Sequence, residues 1–392
     1  MADYLENLTS LPFAPLGIIA MPGCEEIGKR IDYYLTKWRK ERDSEFRDDA
    51  RFVAYERDTY MIDISCPRFG SGEAKGVIRQ SVRGLDIYII CDVFNHTLTY
   101  KMYGQQVPMS PDDHYADLKR IIAAIGGKAR RITVIMPMLY EGRQHKRAGR
   151  ESLDCAFALQ ELVSMGVENI ITFDAHDPRV QNAIPVHGFE NVMPTYQMIK
   201  ALVNAVPDIS INKEHLMIIS PDEGAMSRGI YFSSVLGVDL GMFYKRRDYS
   251  VVINGRNPIV AHEYLGADVA GKDLIIVDDM ISSGDSVLDL AIKLKELKAK
   301  DIYVCATFGL FCEGLAHFDD AYEKGYIRKV FTTNSVRSTA ELLARPWYCS
   351  VDLSKYIAYI TDTLNHDASV SDLLDPYERI HRFLDRYKNG QV

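Results

Sequence analysis

The sequence has no stretch of about 18 uncharged apolar residues, so no segment of it is expected to span a membrane. It has no CxxC pair. Its seven cysteines are scattered and odd in number, which excludes a disulfide framework or a zinc cluster of the usual spacing. Most of them read as buried thiols of a reducing cytosol, and a cytoplasmic protein is expected. A basic excess is also missing. Lys and Arg number 46 against 54 Asp and Glu, a net charge of -8, which argues against general nucleic-acid binding. The opening MADYLENLTS lacks a basic run followed by an apolar one, so it is not a signal peptide. No low-complexity tract and no short repeat occurs. What remains is a 392-residue chain, 47% hydrophobic and 26% charged, the composition of a soluble globular protein long enough for two domains.

Short apolar runs alternate with helical patterns along the chain. Strands are expected at Asp86–Cys91, Arg131–Met136, Asn169–Phe173, Leu216–Ser220, Leu240–Tyr244, Leu274–Val277 and Ile302–Thr307. Helices are expected at Ser152–Met165 and at Val287–Lys298, where apolar residues recur at helical spacing. Near-continuous apolar strands alternating with helices indicate mainly parallel sheets covered on both faces. The strand number suits two such sheets. A loop over Asn182–Met193 puts the boundary near Pro194–Lys200, giving domains 1–196 and 197–392. The charged stretch LTKWRKERDSEFRDD reads as a solvated helix, and the tail after Leu374 as a short amphipathic one.

In parallel α/β sheets ligands sit outside the carboxyl ends of the strands. The strand LIIV runs into Asp278-Asp279, then MISSGDS before a helix. A tight turn with a serine cap would explain that plainly. A phosphate cradle explains it better: Ser283, Gly284 and Ser286 turn N–H groups and hydroxyls toward an anion at a helix N-terminus. The two carboxylates then hold sugar hydroxyls, directly or through a metal, whereas a buried pair without a ligand is costly. NIITF runs into Asp174-Ala175-His176-Asp177, LMIIS into Pro221-Asp222-Glu223-Gly224, and LGMFY into Lys245-Arg246-Arg247. Taken singly, these are a capping turn, an ordinary turn and a solvated cationic run.

DDMISSGDS resembles the phosphoribosyl-pyrophosphate (PRPP) binding loop of the phosphoribosyltransferase fold. Five further segments, in the same order, resemble those of the ribose-phosphate pyrophosphokinase (PRPP synthetase) family: Phe69-Gly70-Ser71-Gly72-Glu73, Tyr140-Glu141-Gly142-Arg143-Gln144, Asp174-Ala175-His176, Ser220-Pro221-Asp222-Glu223-Gly224, and Lys245-Arg246-Arg247. The likeness runs from about Cys66 to Leu374. It implies two phosphoribosyltransferase-like domains, each a mainly parallel sheet flanked by helices. It also implies transfer of the β,γ-diphosphoryl group of MgATP to the C1 hydroxyl of ribose 5-phosphate, giving PRPP and AMP.

By this resemblance Phe69, Ser71 and Glu73 hold adenine. Arg143, Gln144 and His176 bind the rest of ATP. His176, Asp222 and Asp174 position Mg²⁺. Asp278 and Asp279 bind ribose hydroxyls, and Ser282, Ser283, Gly284, Asp285 and Ser286 the 5-phosphate. Lys245 and Arg247, with His176, are the catalytic residues, the two cations beginning a lid that closes on the triphosphate. A homo-oligomer, a hexamer built from dimers, is implied as well; no nucleic acid and no membrane partner is expected.

The chain departs from the family's pattern in places. Its N-terminal segment and lid are longer, and Met102–Asp113 is inserted. Ser282 to Ser286 replace Asp-Thr-Ala-Gly-Thr, and HKRAGRE follows Gln144 where an acidic residue is usual. A diphosphokinase acting on another sugar phosphate therefore stays open, as does a catalytically silent regulatory paralogue. A phosphoribosyltransferase is the third alternative, but it needs no adenine loop.

Overall fold

The computed structural model describes residues 11–46, 55–147, 149–247 and 259–391. In chain order the strands are β1 (Leu16–Ala20), β2 (Ile64–Ser65), β3 (Val77–Ile78), β4 (Asp86–Ile90), β5 (Thr99–Met102), β6 (Gln105–Pro108), β7 (Arg131–Ile135), β8 (Asn169–Phe173) and β9 (Gly188–Val192). They continue with β10 (Leu216–Ser220), β11 (Asp239–Arg247), β12 (Ile259–Leu265), β13 (Asp273–Ile281), β14 (Ile302–Gly309), β15 (Lys329–Thr333) and β16 (Tyr348–Val351). The main helices are α1 (Glu25–Phe46), α2 (Pro111–Ile125), α3 (Asp154–Ser164), α4 (Thr195–Ala205), α5 (Met226–Leu236), α6 (Asp285–Glu296), α7 (Ala316–Glu323), α8 (Ser354–Asn365) and α9 (Tyr377–Lys388).

The chain packs into two compact units. The first takes residues 1–193, 334–337 and 352–375; the second takes 194–333, 338–351 and 376–392. Its last third therefore crosses back, which no single cut in the sequence expresses.

The first unit is built on a five-stranded parallel sheet, ordered β1-β4-β7-β8-β9. One face is sealed by α2 and α3, whose Leu118, Ile121, Ile122, Leu159 and Leu162 meet Ile87, Ile89, Val134 and Ile170 in one core. The α2 helix starts where the sequence supplies a capping box, Ser110 with Asp113, and a proline in its first turn; it stops at Gly126 in the left-handed conformation. The α1 helix is not the wholly solvated one its charges suggest. Trp38 and Arg39 are buried. Trp38 stacks on Tyr359 of α8 with centroids 4.3 Å apart. The Arg39 guanidinium donates to Asp362 Oδ1 at 2.9 and 3.0 Å and to Asn365 Oδ1 at 2.7 Å. Arg42 donates to Asp362 as well. A fully buried carboxylate holding two guanidinium groups satisfies the condition under which charge is tolerated in a core.

In the second unit the sheet has seven strands, ordered β12-β11-β10-β13-β14-β15-β16; only β12 runs antiparallel. From β10 the chain moves through α5 to β11 on one side, and from β13 through α6 to β14 on the other. Residues of α4, α5 and α9 cover the face bearing Ile218, Ile275 and Val277, whereas those of α6 and α7 cover the face bearing Ile219, Leu274 and Ile276. The junction of β10 and β13 is thus a topological switch point, where flanking helices diverge and leave a crevice at the strands' carboxyl ends. The tail forms α9, an amphipathic helix burying Ile380, Phe383 and Leu384.

Candidate functional site

The expected residues fall at the carboxyl ends of the two sheets and beside one hairpin. In the second unit β13 does not end at Val277. Pairing with β14 continues through Asp278↔Ala306 to Ile281↔Gly309, while pairing with β10 stops at Ile219↔Ile276. Asp278 and Asp279 therefore sit on a strand overhang whose β10 side is open, at the switch point. Asp279 is buried and its Oδ2 lies 4.0 Å from the Arg228 guanidinium of α5. Burial first, and then the charge of Asp279, hold the Asp278 carboxyl well above the usual carboxylate range. Asp278 Oδ1 also accepts from the Asp279 backbone N–H at 2.8 Å. Two carboxyl groups side by side at an open strand end offer several oxygens to the hydroxyls of a diol.

Beyond the overhang the chain turns at Ser282–Gly284 into α6. Gly284 has φ +96°, and a Cβ there would stand 2.3 Å from Phe318 Cε2, so the turn admits no side chain. No side chain caps α6. Asp285 N makes only a long hydrogen bond, to Ser283 Oγ at 3.4 Å, and the helix start keeps the anion-binding character of its other first-turn N–H groups. Ser282 and Ser283 are half-buried, and Asp285 and Ser286 are exposed. The carbonyl of Ser282 accepts from Cys312 N at 2.9 Å, which pins the turn to the segment after β14. On the neighbouring strand end, Asp222 Oδ1 accepts from Gly224 N at 2.9 Å and Ala225 N at 3.2 Å, fixing the carboxylate at the mouth of β10. Lys245 and Arg247 lie in the last three residues of β11, paired with His262 and Ile259 of β12. Their side chains lie outside the described residues, as do positions 248–258 of the expected lid, whose following residues form β12.

In the first unit β7 and β8 are neighbours, and their following loops meet. The turn after β7 is held by Tyr140, which stacks on Tyr115 with centroids 4.3 Å apart and donates to Asp112 Oδ1 at 2.6 Å. Glu141 at its apex has φ +55°, and Gln144 N donates to the Glu141 carbonyl at 2.8 Å. Arg143 is exposed, open to a solvent-borne anion. Gln144 is engaged internally: its Nε2 donates to the Ser152 carbonyl at 2.8 Å. After β8, Asp174 is buried with φ +41°, a costly conformation for a residue with a side chain, of the kind found at functional sites. His176 is exposed, and its ring lies 5.3 Å from that of His145. His145 Nε2 is 3.4 Å from Asp177 Oδ2. Asp177 accepts from the backbone N–H and guanidinium of Arg179, which hold its carboxyl well below the usual range. Burial holds the His145 imidazole below its ordinary value, against the pull of Asp177.

The turn carrying Phe69, Ser71 and Glu73 is built elsewhere in this unit, against the β5–β6 hairpin. Phe69 N donates to the Glu73 carbonyl at 2.7 Å, and Tyr103 N at the hairpin tip donates to the Gly70 carbonyl at 2.9 Å. Phe69 is 54% exposed, a large apolar ring turned more than half to solvent. Ser71 Oγ donates to Glu73 Oε2 at 2.9 Å. The segment Met102–Asp113, read as an insertion, holds the end of this hairpin and the start of α2.

Among the described residues no three His, Cys, Asp or Glu side chains converge to hold a metal by themselves. The donors do suit magnesium in kind. Asp174 in the first unit and Asp222 in the second are each a hard oxygen donor at a strand end, the donor kind magnesium takes. His145 and Arg228 were not singled out from sequence. Arg228 follows Asp222 by six positions, in the first turn of α5, and that spacing was a usable signal.

Comparison with known proteins agrees with this layout. Residues 18–166 match the N-terminal domain of ribose phosphate pyrophosphokinase, and residues 254–375 match the phosphoribosyl synthetase-associated domain. A ribose-phosphate pyrophosphokinase of Vibrio parahaemolyticus is 26% identical over 317 residues, 80% of this chain and 91% of the relative. One from Prochlorococcus marinus is 28% identical over 286 residues, 70% of this chain and 75% of the relative. The crystal structure of phosphoribosylpyrophosphate synthetase from Mycobacterium smegmatis superposes with a TM-score of 0.69 at 20% identity, over 90% of this chain and 99% of that one, a likeness of fold. The two family matches together span more than half of the chain, and with these relatives they establish that the protein is an enzyme of the ribose-phosphate pyrophosphokinase family.

Proposed function

We propose that the protein transfers the β,γ-diphosphoryl group of ATP to the C1 hydroxyl of ribose 5-phosphate, releasing AMP and forming PRPP. The observation that carries this reading is the Asp278-Asp279 overhang running into the uncapped start of α6 at the switch point of the second sheet. Two adjacent carboxyl groups suit the two ribose hydroxyls. The turn Ser282 to Ser286 offers N–H and hydroxyl donors to the 5-phosphate one step further on. A sugar held at both ends presents its C1 hydroxyl in one orientation. In phosphoryl transfer such positioning and charge neutralisation dominate, with little covalent work left to side chains.

Phe69 takes the face of adenine, with Ser71 and Glu73 at its edge. Arg143 binds phosphate oxygens by its fork of donors. Gln144, held to the Ser152 carbonyl through its Nε2, offers its Oε1 to ATP. Asp174, His176 and Asp222 hold Mg²⁺, which when bound neutralises triphosphate charge. Lys245 and Arg247 stabilise the negative charge that develops on the transferring group. A cytoplasmic homo-oligomer, hexameric from dimers, belongs to the same proposal.

Asp285 favours one variant of it. Its carboxylate stands in the first turn of α6, where the sugar's phosphate is to sit, so an acceptor other than ribose 5-phosphate is the second reading. Incubation with ATP, Mg²⁺ and a panel of sugar phosphates, with AMP measured by chromatography, separates the two. AMP that depends on ribose 5-phosphate and vanishes in Lys245→Ala is the expected result. AMP with a different sugar only selects the second reading, and no AMP with any sugar sinks both.

A further inference from the structure

We propose that the β5–β6 hairpin is the platform on which the nucleotide's base is held, and that Arg68 and Tyr100 are positioning residues that fix the turn from Phe69 to Glu73 upon it. The inference rests on the nucleotide-binding part of the function proposed above. It gives a role to a hairpin most of which lies in the segment read as an insertion, Met102–Asp113.

The turn closes on itself. Phe69 N donates to the Glu73 carbonyl at 2.7 Å, Gly72 N donates to the Phe69 carbonyl at 2.9 Å, and Arg68 bridges Ala74 across the base of the turn. Phe69, Gly70, Ser71 and Glu73 are exposed, so the contacts that fix the turn in space come from beneath it. A base stacked on Phe69 needs that ring held in place, because the ordering of a loose loop at a binding site is subtracted from affinity.

The hairpin supplies those contacts. Its tip is the pair Tyr103 (φ +47°) and Gly104 (φ +82°), the left-handed combination that matches the twist of the flanking strands and makes a well-defined end. From that tip Tyr103 N donates to the Gly70 carbonyl at 2.9 Å. Gly72, at φ +96°, comes so near the hairpin that a Cβ there would lie 2.7 Å from Met102 Sδ and 3.7 Å from Tyr100 Cε2.

Arg68 ties this platform to the core. Its Cζ lies 4.6 Å from the centroid of the Tyr100 ring, a cation–π contact, and its Nη2 donates to Asp117 Oδ2 at 2.8 Å. Asp117 is buried on α2 and its other oxygen accepts from Arg120 Nη1 at 2.6 Å. The Tyr100 hydroxyl donates to Asp113 Oδ1 at 3.3 Å, and Asp113, one turn before Asp117, belongs to the capping box of α2. The side chain immediately before Phe69 is thus held between a ring and a carboxylate, and both are referred to one helix.

The test measures binding of α,β-methylene ATP with Mg²⁺, and of inorganic tripolyphosphate, to the full chain by titration calorimetry. Arg68→Lys keeps the charge but loses the planar fork, and Tyr100→Leu loses the ring. Each should weaken the nucleotide about threefold to tenfold, as loosening an ordered loop does, and leave tripolyphosphate unchanged. Tyr100→Phe should restore most of the affinity lost in Tyr100→Leu. In a Phe69→Ala background the effect of Tyr100→Leu should shrink to less than about twofold, because the two residues act through one turn. Unchanged nucleotide affinity in Arg68→Lys and Tyr100→Leu overturns the proposal. So does tripolyphosphate weakened as much as nucleotide, the mark of general damage, and so does an undiminished effect without Phe69. Sugar-dependent AMP formation by the wild type is scored separately. AMP with unchanged affinity in the variants sinks the platform alone. No AMP, with the expected pattern of affinities, sinks the diphosphokinase and leaves the platform standing.

Discussion

Replacing Gly284 by alanine should damage the second unit and its sugar-phosphate cradle together. The residue has φ +96°, and an added methyl would lie 2.3 and 2.5 Å from Phe318 Cε2 and Cζ. Phe318 cannot give way. It is fully buried, stacked on Trp347 with centroids 5.3 Å apart and set edge-on to Phe311 at 5.1 Å. A left-handed residue with a Cβ costs about 1–2 kcal/mol, and overpacking a filled core costs about 1–3 kcal/mol more. The sum, roughly 2–5 kcal/mol, corresponds to a fall on the order of 5–15 °C in the melting of a unit of this size. Part of the strain should be relieved by moving the turn, which carries Ser283 and Asp285 away from their positions. Calorimetry and the KM for the sugar phosphate measure the two consequences. Adding Phe318→Leu, itself destabilising, should make the double variant more stable than the sum of the single effects by about 1 kcal/mol or more, since the pair is in contact. A Gly284→Ala protein with unchanged melting and unchanged KM would refute this account of the turn.

Asp278→Asn removes a charge that its surroundings disfavour, so melting of the second unit should rise while affinity for the sugar phosphate falls; calorimetry and KM read the two opposite signs, and a fall in both counts against the reading. Phe69→Ala should change melting little, because the ring is more than half exposed, yet weaken ATP binding severalfold by titration calorimetry. Two buried groups of the first unit should oppose each other on acidification. Burial holds His366 down at about 4, despite Asp362 beside it, so the stability it contributes is complete above its unfolded value of 6.5 and is lost as pH falls toward 4. Burial pushes Asp92 up to about 6 from 3.8, so the native state gains stability as pH falls through that window. Each shift is worth about 3 kcal/mol. Relative to the wild type, Asp92→Asn should lose stability between pH 6.5 and pH 4, and His366→Gln should gain it, in urea melts; three parallel profiles would refute the assignment.

The strands of the two sheet centres were legible because each is a short, nearly continuous apolar run. β8 and β10 match their expected residues, and β4, β7 and β14 differ only at their carboxyl ends. The edge strands were not legible. β9 (GFENV) falls inside the expected loop Asn182–Met193, since an edge position does not require an apolar run and its pattern is mixed. β13 overran its expected end because pairing with β14 on one side is enough to keep Asp278–Ile281 extended, even though acids break the apolar pattern. The charged helix misled for a related reason. Arg39 looks like solvated charge until its partner is known, and Asp362 lies 323 positions away. Contiguous motifs in the site were readable from sequence. The His145–His176 contact was not, because the adjacency of β7 and β8 creates it.

That buried ion pair also sets a timetable for synthesis. A chain made from its N-terminus at about 5–20 residues per second leaves the Arg39 side waiting roughly 15–65 s for its carboxylate. During that time α1 has its buried guanidinium and Trp38 but neither Asp362 nor Tyr359 to receive them. The first unit, although it begins the chain, is completed only after the strands of the second have left the ribosome. An emerging chain of this kind invites a chaperone to shield α1, and a nonsense mutation between the two elements would strand a cation rather than merely shorten a domain.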